Sequence, residues 1–295
     1  MVEPLRRSND CSALSARERY IDAPTAADFT IDQAWGSYTS EEHARWDRLF
    51  RRMETILPNR ACESFLSALD ELDLSRNGVP HMGRLSELLS KRTGWRVVPV
   101  AGLVPDTVFF DHLASRRFPA GAFMRSEAEF DYLEEPDIFH DIFGHAPLLA
   151  NPVFADFMQA YGEGGKAALE RGQLPNLARL YWYTVEFGLI RESGAVKIFG
   201  AGILSSPKES VFALESSSPN RLGFDLERIM RTTYKIDAFQ QTYFVIDSFE
   251  ALLDACYGDF APRYERVRSA RDLSPSDVLA SDHVIHHGDQ SCVNE

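Results

Sequence analysis

Apolar side chains recur at helical spacing soon after a polar first stretch of the chain. Between Thr39 and Pro58 they stand three or four positions apart, as on the buried face of an amphipathic helix. Thr39 is followed three residues later by Glu42, the pattern of a capping box that begins a helix, and Pro58 ends the helix. Further helices are predicted over 65–72 and 85–93.

The remainder of the chain alternates further helical stretches with short runs typical of β-strands. Helices are predicted over 105–113, 137–146, 155–169, 177–190 and 249–255. Strands, which favour β-branched and aromatic side chains, are predicted over 95–100, 196–199 and 243–246. Strands and helices do not alternate regularly, and neither a glycine-rich dinucleotide motif nor a P-loop is present. The predicted fold class is therefore mainly α with a minor β element (α+β).

The polar ends of the chain are predicted to lie outside the folded domain. A chain of 295 residues can form one or two domains. We predict a disordered tail over 1–25, a single domain over 26–268 and a polar C-terminal tail over 269–295.

Composition and charge exclude several classes of protein. The chain has 31 Lys and Arg against 44 Asp and Glu, a net charge of −13, which repels nucleic-acid phosphates. It has no apolar run near the ~20 residues that span a bilayer, and no secretory signal. The chain has four cysteines, Cys11, Cys62, Cys256 and Cys292, which lie far apart in the sequence. This spacing favours free thiols in a reducing compartment. A cytoplasmic protein that binds neither nucleic acid nor membrane is predicted.

Two histidines and one glutamate are candidates for a metal site. His140 and His145 stand five apart in FHDIFGH, whereas a zincin requires HExxH. On an ideal α-helix their side chains would point roughly 140° apart, although they can converge near a helix end loosened by Gly144 and Pro147. Glu186 lies in a strongly apolar stretch, where a carboxylate is costly to bury unless it is paired. Two imidazoles and a carboxylate are the donor set of non-haem Fe(II) oxygenases.

Spacing alone leaves simpler interpretations open. A histidine pair near a helix end is more often structural, and a single glutamate in a helix usually faces solvent. The polar tail also carries a rival histidine cluster, formed by His283, His286 and His287.

Four blocks of the sequence change this balance. They are VPVAGL at 98–103, PDIFHDIFGHAPL at 136–148, YWYTVEFGL at 181–189 and GAGILSS at 200–206. The chain strongly resembles the pterin-dependent aromatic amino acid hydroxylases in these blocks. They follow the family's order, and the resemblance spans roughly residues 35–260.

The resemblance implies roles for individual residues. His140, His145 and Glu186 take the positions of the ferrous-iron ligands, and Arg125 that of the arginine that pairs with the substrate carboxylate. Positions near the pterin are Val104, Asp106, Phe109, Asp141 and Tyr181, with Phe109 expected to be buried. The substrate walls are implied to be Trp182 and Phe187 on one side and Gly202, Ser205 and Ser206 on the other.

Two positions depart from the family pattern. Asp141 stands where animal members tend to carry Glu, so the resemblance implies a water-mediated pterin contact there through a shorter carboxylate side chain. Leu133 and Glu134 stand where animal members carry Thr-Pro, so substrate contacts at this point cannot be transferred.

The resemblance also implies an activity. It is a monooxygenase that uses Fe(II) and a tetrahydropterin (tetrahydrobiopterin or a related pterin) to convert L-phenylalanine and O₂ into L-tyrosine. The implied enzyme is a monomer, because the length leaves no room for the animal enzymes' regulatory and tetramerisation elements. It is functionally linked to a pterin carbinolamine dehydratase. Tryptophan or tyrosine hydroxylation, a non-catalytic aromatic amino acid sensor and a hydrolytic zinc enzyme remain the alternatives.

Overall fold

A computed structural model describes residues 17–74, 78–131, 133 and 135–291. The α-helices are α1 (Glu18–Ile21), α2 (Ser40–Ile56), α3 (Glu63–Glu71), α4 (Met82–Thr93), α5 (Asp106–Ala114), α6 (Pro152–Glu170), α7 (Leu174–Tyr181), α8 (Ala201–Leu204), α9 (Pro207–Glu215), α10 (Leu226–Met230), α11 (Phe249–Cys256) and α12 (Ala261–Ser269). Two segments are π-helices, π1 (Phe139–His145) and π2 (Trp182–Glu186). Short 3₁₀ turns cover Trp35–Ser37 and Ala146–Ala150.

The strands form two small sheets. They are β1 (Arg96–Val100), β2 (Arg117–Gly121), β3 (Leu189–Glu192), β4 (Ala195–Ile198), β5 (Asn220–Gly223), β6 (Thr242–Ile246) and β7 (Val284–His286). Strands β1 and β2 pair in parallel, and the second sheet has the order β4-β3-β6-β5-β7. Helices dominate and the sheets are minor, so the predicted fold class is confirmed.

Helix α2 packs against π1 and so supports the segment that carries both candidate histidines. The predicted capping box is present: Glu42 N donates to Thr39 Oγ1 at 3.2 Å, and Thr39 N donates to the Glu42 carboxylate at 2.7 Å. The fully buried Trp46 ring contacts Phe139 edge to face, with centroids 5.1 Å apart. Aromatic pairs of this geometry stabilise beyond their area burial. The capping box thus begins α2 at a position from which the apolar face of this helix packs against π1.

The predicted helix over 177–190 continues to Glu186, with its last turn in π-helical form, and is wrong only for residues 187–190. The chain forms α7 and then π2, and β3 begins at Leu189. A Cβ on Gly188 would lie 2.2 Å from Phe199 Cζ and 2.3 Å from Thr184 O, so only glycine allows the chain to turn there. A continuous apolar run does not distinguish a buried helix from a buried strand.

Part of the predicted N-terminal tail is folded. Residues 1–16 lie outside the described residues, but 17–25 include α1. The Tyr20 side chain is 1% exposed, and its hydroxyl donates to Gln33 O at 3.0 Å. The prediction of disorder is therefore wrong for residues 17–25.

The polar C-terminal stretch packs against the larger sheet. Strand β7 pairs with β5 in antiparallel orientation. Asp282 accepts hydrogen bonds from Arg228 Nε, the shortest at 3.0 Å, and both side chains are 5% exposed. The polar stretch is thus attached to the domain through β7 and the Asp282–Arg228 pair, although many of its side chains face solvent.

Two of the four cysteines lie within the described residues. Cys62 and Cys256 are free thiols, and burial raises the pKa of each to about 12. Cys11 and Cys292 lie outside the described residues. Within the described ranges, no helix is both long enough and apolar enough to cross a membrane.

Candidate metal centre and its surroundings

The π-helical geometry of π1 brings His140 and His145 to one side. A π-helix bonds residues five apart, whereas an α-helix bonds residues four apart. The two histidines stand five apart, and their Nε2 atoms are 3.3 Å from each other. A Cβ on Gly144 would lie 2.9 Å from Ala201 O, so glycine here lets α8 approach the histidines.

Glu186 completes the group from the end of π2. Its Oε1 is 3.1 Å from His145 Nε2, and its Oε2 is 3.6 Å from His140 Nε2. In the part of the chain that the structure describes, these three residues form a group whose ligand atoms all lie within 4.8 Å of one another. This segment is also π-helical, since Phe187 N donates to Trp182 O, five residues back, at 2.8 Å.

The rival cluster in the C-terminal stretch does not form. His286 Nε2 contacts Ser217 O at 3.1 Å, and His287 Nδ1 contacts Gly288 O at 3.1 Å. His283 lies against Gly223. The three rings thus interact with separate backbone positions.

Ser205 determines which nitrogen of His140 faces the group. The Ser205 hydroxyl donates to Ala201 O at 2.8 Å, so its oxygen accepts from His140 Nδ1, 2.9 Å away. With the proton on Nδ1, the Nε2 lone pair points towards Glu186. Hydrogen bonds of this kind orient histidine ligands and raise their basicity.

The charges of the group suit a cation. Burial lowers the pKa of His140 to about 4, so its imidazole is neutral. Burial opposes a charge on His145, but the adjacent Glu186 carboxylate raises the His145 pKa overall. Burial likewise disfavours the Glu186 carboxylate, but His145 holds its pKa below the ordinary value. Two imidazole nitrogens and one charged carboxylate fit a divalent transition metal with other coordination positions left open.

An aromatic row extends from the group towards α5. The Tyr181 ring stacks on His145 with centroids 6.2 Å apart, and Phe109 meets Tyr181 edge to face at 5.8 Å. Phe109 was expected to be buried but is half-buried. One edge of its ring contacts Tyr181, and part of the ring surface stays accessible. The half-buried Val104 precedes α5, and the exposed Asp106 begins it, one turn before Phe109.

Asp141 lies between the histidines and β2. Its Oδ2 accepts a hydrogen bond from Gly121 N at 2.7 Å. Burial raises the pKa of this carboxyl to about 7.

Arg125 is held by a buried carboxylate that sequence reasoning did not single out. Its Nε and Nη2 donate to the two oxygens of Asp137 at 2.9 and 2.8 Å. Asp137 is 0% exposed, and its Oδ1 also accepts from His140 N at 3.1 Å. Among the described residues, Arg125 Nη1 has no hydrogen-bond partner, so part of the guanidinium remains available. No motif in the sequence pairs Arg125 with Asp137.

Trp182 is surrounded by residues that the sequence reasoning placed and by two that it missed. Its ring meets Phe187 at 4.7 Å and stacks on Tyr234 at 4.2 Å, and Nε1 donates to Gln240 Oε1 at 2.9 Å. A Cβ on Gly202 would lie 2.9 Å from Phe187 Cζ. Tyr234 and Gln240 lie on a loop remote in sequence, and no motif marks them.

Ser206 takes a different role from Ser205. Its hydroxyl oxygen caps α9 by accepting a hydrogen bond from Glu209 N at 3.3 Å. The two neighbouring serines therefore act on different elements.

Comparisons with known proteins agree on one family. Residues 15–270 match the biopterin-dependent aromatic amino acid hydroxylase family. The chain is 57% identical over 264 residues to a phenylalanine-4-hydroxylase of Caulobacter vibrioides, covering 90% of each chain. It is 58% identical over 261 residues to a phenylalanine-4-hydroxylase of Ralstonia nicotianae, covering 88% of this chain and 83% of the relative. A crystal structure of phenylalanine hydroxylase from Chromobacterium violaceum bound to cobalt has a TM-score of 0.89 and 51% identity, covering 92% of this chain and 98% of that one.

Proposed function

We propose that this chain, which belongs to the biopterin-dependent aromatic amino acid hydroxylase family as its four sequence blocks indicated, converts L-phenylalanine and O₂ into L-tyrosine. The observation that carries this is its identity of 53–58% with three bacterial phenylalanine-4-hydroxylases across about nine-tenths of its length. The convergence of His140, His145 and Glu186 supports it independently, because a non-catalytic member would not need a complete donor set.

The metal of this enzyme is proposed to be Fe(II), held by His140, His145 and Glu186. When bound, ferrous iron and a tetrahydropterin supply the oxidising chemistry that activates O₂ and delivers one oxygen atom to the ring. Ser205 keeps the His140 Nε2 lone pair directed at the iron position. His145 is buried, and the side chains of His140 and Glu186 are 18% and 15% exposed, which supports the exclusion of bulk water from the reacting atoms.

The pterin, tetrahydrobiopterin or a relative, is proposed to lie against Phe109 and Tyr181. The half-buried Phe109 offers an aromatic surface for stacking. Val104 and Asp106 would meet the pterin edge from the start of α5, and Asp141 from the side of β2.

The amino acid substrate is proposed to bind between Arg125 and an aromatic wall. The available Nη1 of Arg125 would bind its carboxylate, while Asp137 holds the guanidinium in place. Trp182 and Phe187 would contact the aromatic ring, and Gly202 leaves space for Phe187. Ser205 acts on the opposite wall through His140, and Ser206 through the cap of α9.

Three further expectations remain part of the proposal. The protein acts as a monomer, in the cytoplasm, and with a pterin carbinolamine dehydratase that recycles the oxidised pterin. Gel filtration of the pure protein and localisation of a tagged protein would test the first two.

The proposed function is tested with the purified protein, Fe(II), tetrahydrobiopterin and O₂. L-phenylalanine, L-tryptophan and L-tyrosine are supplied separately, and products are separated by liquid chromatography. We expect tyrosine from phenylalanine as the preferred reaction. Preferred hydroxylation of tryptophan or tyrosine would revise the substrate, and no O₂ consumption with any of the three would favour a sensor.

A further inference from the structure

The loop between α10 and β6, residues 231–241, covers the outer face of Trp182. Tyr234 stacks on the indole with an interplanar angle of 11°. Gln240, 58 residues further along the chain than Trp182, accepts the indole N–H. Stacking alone leaves a ring free to slide or rotate in its plane, whereas a hydrogen bond at one edge selects a single orientation.

Gln240 is itself held in one orientation. Its side-chain nitrogen donates to Lys235 O and Ala238 O, both at 3.2 Å. Because both amide protons are used inside the loop, the amide oxygen faces Trp182. Gln240 is 4% exposed, so water competes little for these bonds.

A buried carboxylate connects this loop to the helix that follows the Gly202–Ser206 wall. Glu209 of α9 accepts a hydrogen bond from Gln240 N at 3.4 Å and another from the Tyr243 hydroxyl. The loop that holds Trp182 is therefore attached to the element that begins at Ser206. The Trp182 side and the Gly202–Ser206 side of the proposed substrate pocket are thus both connected to α9.

We propose that Gln240 is a positioning residue that fixes the Trp182 indole and thereby sets the aromatic ring size that the pocket accepts. The inference rests on the proposed function, because Trp182 must contact the substrate. Gln240 does not touch the substrate in this proposal. Its effect is transmitted through the Trp182 N–H.

The test compares Gln240→Met with Gln241→Met. Methionine retains length and volume, but its thioether is only a weak acceptor for the indole proton, and it cannot donate to Lys235 O and Ala238 O. Gln241 is a matched control, because its amide contacts Gln290 at 3.4 Å instead of Trp182. For Gln240→Met we expect the KM for phenylalanine to rise about three- to tenfold, the effect of losing the one hydrogen bond, of the three made by the Gln240 side chain, that reaches the Trp182 indole. The preference in kcat/KM for phenylalanine over tryptophan should fall by a similar factor, with kcat within about twofold and iron content unchanged.

A double-mutant cycle with Trp182→Phe shows whether the effect passes through the indole. Phenylalanine lacks the N–H, so adding Gln240→Met to Trp182→Phe should change selectivity no further. Additive effects would overturn the proposal, as would an unchanged KM and selectivity in Gln240→Met. If Gln240→Met does not fold, Trp182→Phe alone tests the proposal, because it removes the indole N–H of the same hydrogen bond. Unchanged KM and selectivity in Trp182→Phe would then overturn the proposal. Failure of the proposed function is seen separately, as a wild-type protein that forms no tyrosine.

Discussion

The Ser205 hydroxyl binds the Nδ1 edge of His140 at 2.9 Å, on the side of the ring opposite Glu186. Because the serine proton is already given to Ala201 O, this contact assigns the His140 tautomer as well as its orientation. Ser205, which is not one of the three candidate metal ligands, thus orients His140, which is one of them.

Replacing Ser205 by alanine should weaken metal binding. Loss of a hydrogen bond that orients a metal ligand typically costs 10- to 100-fold in affinity or activity. We expect the affinity for Fe(II) or Co(II), measured by titration calorimetry, to fall by at least about tenfold. Ser210→Ala is the control, because that buried hydroxyl donates to Ile203 O and touches no histidine. Equal affinities in both variants would show that Ser205 does not act through His140.

Replacing Glu186 by glutamine should remove the metal while keeping the shape of the side chain. The charged oxygen of the donor group is lost, and two neutral imidazoles hold a divalent ion poorly. We expect metal content, measured by mass spectrometry of the purified protein, well below one ion per chain and no detectable tyrosine formation. Glu163→Gln, on α6, should retain both. A fully loaded, active Glu186→Gln would contradict the assignment of the metal ligands.

Replacing Asp137 by alanine should destabilise the fold strongly. The change leaves the Arg125 guanidinium buried without its counter-ion, and loss of one member of a buried pair costs about 3–5 kcal/mol. We expect the free energy of unfolding, from urea titration, to fall by that amount. The control is Asp131→Ala, whose side chain is 71% exposed and pairs with Arg52. Exposed pairs contribute up to about 1 kcal/mol, so similar losses in the two variants would be inconsistent with the buried pair.

Glu209 should make the stability depend on pH between about 4.5 and 7. Burial raises the pKa of Glu209 to about 7, so the folded protein retains a proton that the unfolded chain loses near its ordinary pKa. The stabilisation is complete below the unfolded pKa and is lost as the pH rises through the folded pKa.

Glu209→Gln removes this titration. Relative to the wild type, its free energy of unfolding should increase by about 1–3 kcal/mol between pH 5 and pH 8. Urea titrations of both proteins at the two pH values measure the difference. A constant difference would mean that Glu209 does not titrate in this range.

The sequence by itself determined several local elements and, through the resemblance, the residues expected at the metal centre. Thr39 and Glu42 begin α2 where the pattern predicts it, because a helix cap involves residues only three apart. The four blocks identified the family, because they record residue types and order directly.

Only the tertiary structure decided how those residues meet. On a regular α-helix, His140 and His145 would diverge. They converge because this segment forms the π-helix π1, which packs against α2 and in which Gly144 leaves room for the close approach of α8. Asp137 occupies one edge of Arg125, and Gln240 reaches Trp182 from 58 residues away. Periodicity reports only whether a side chain faces the interior, and which distant group it meets there depends on the packing of the whole domain.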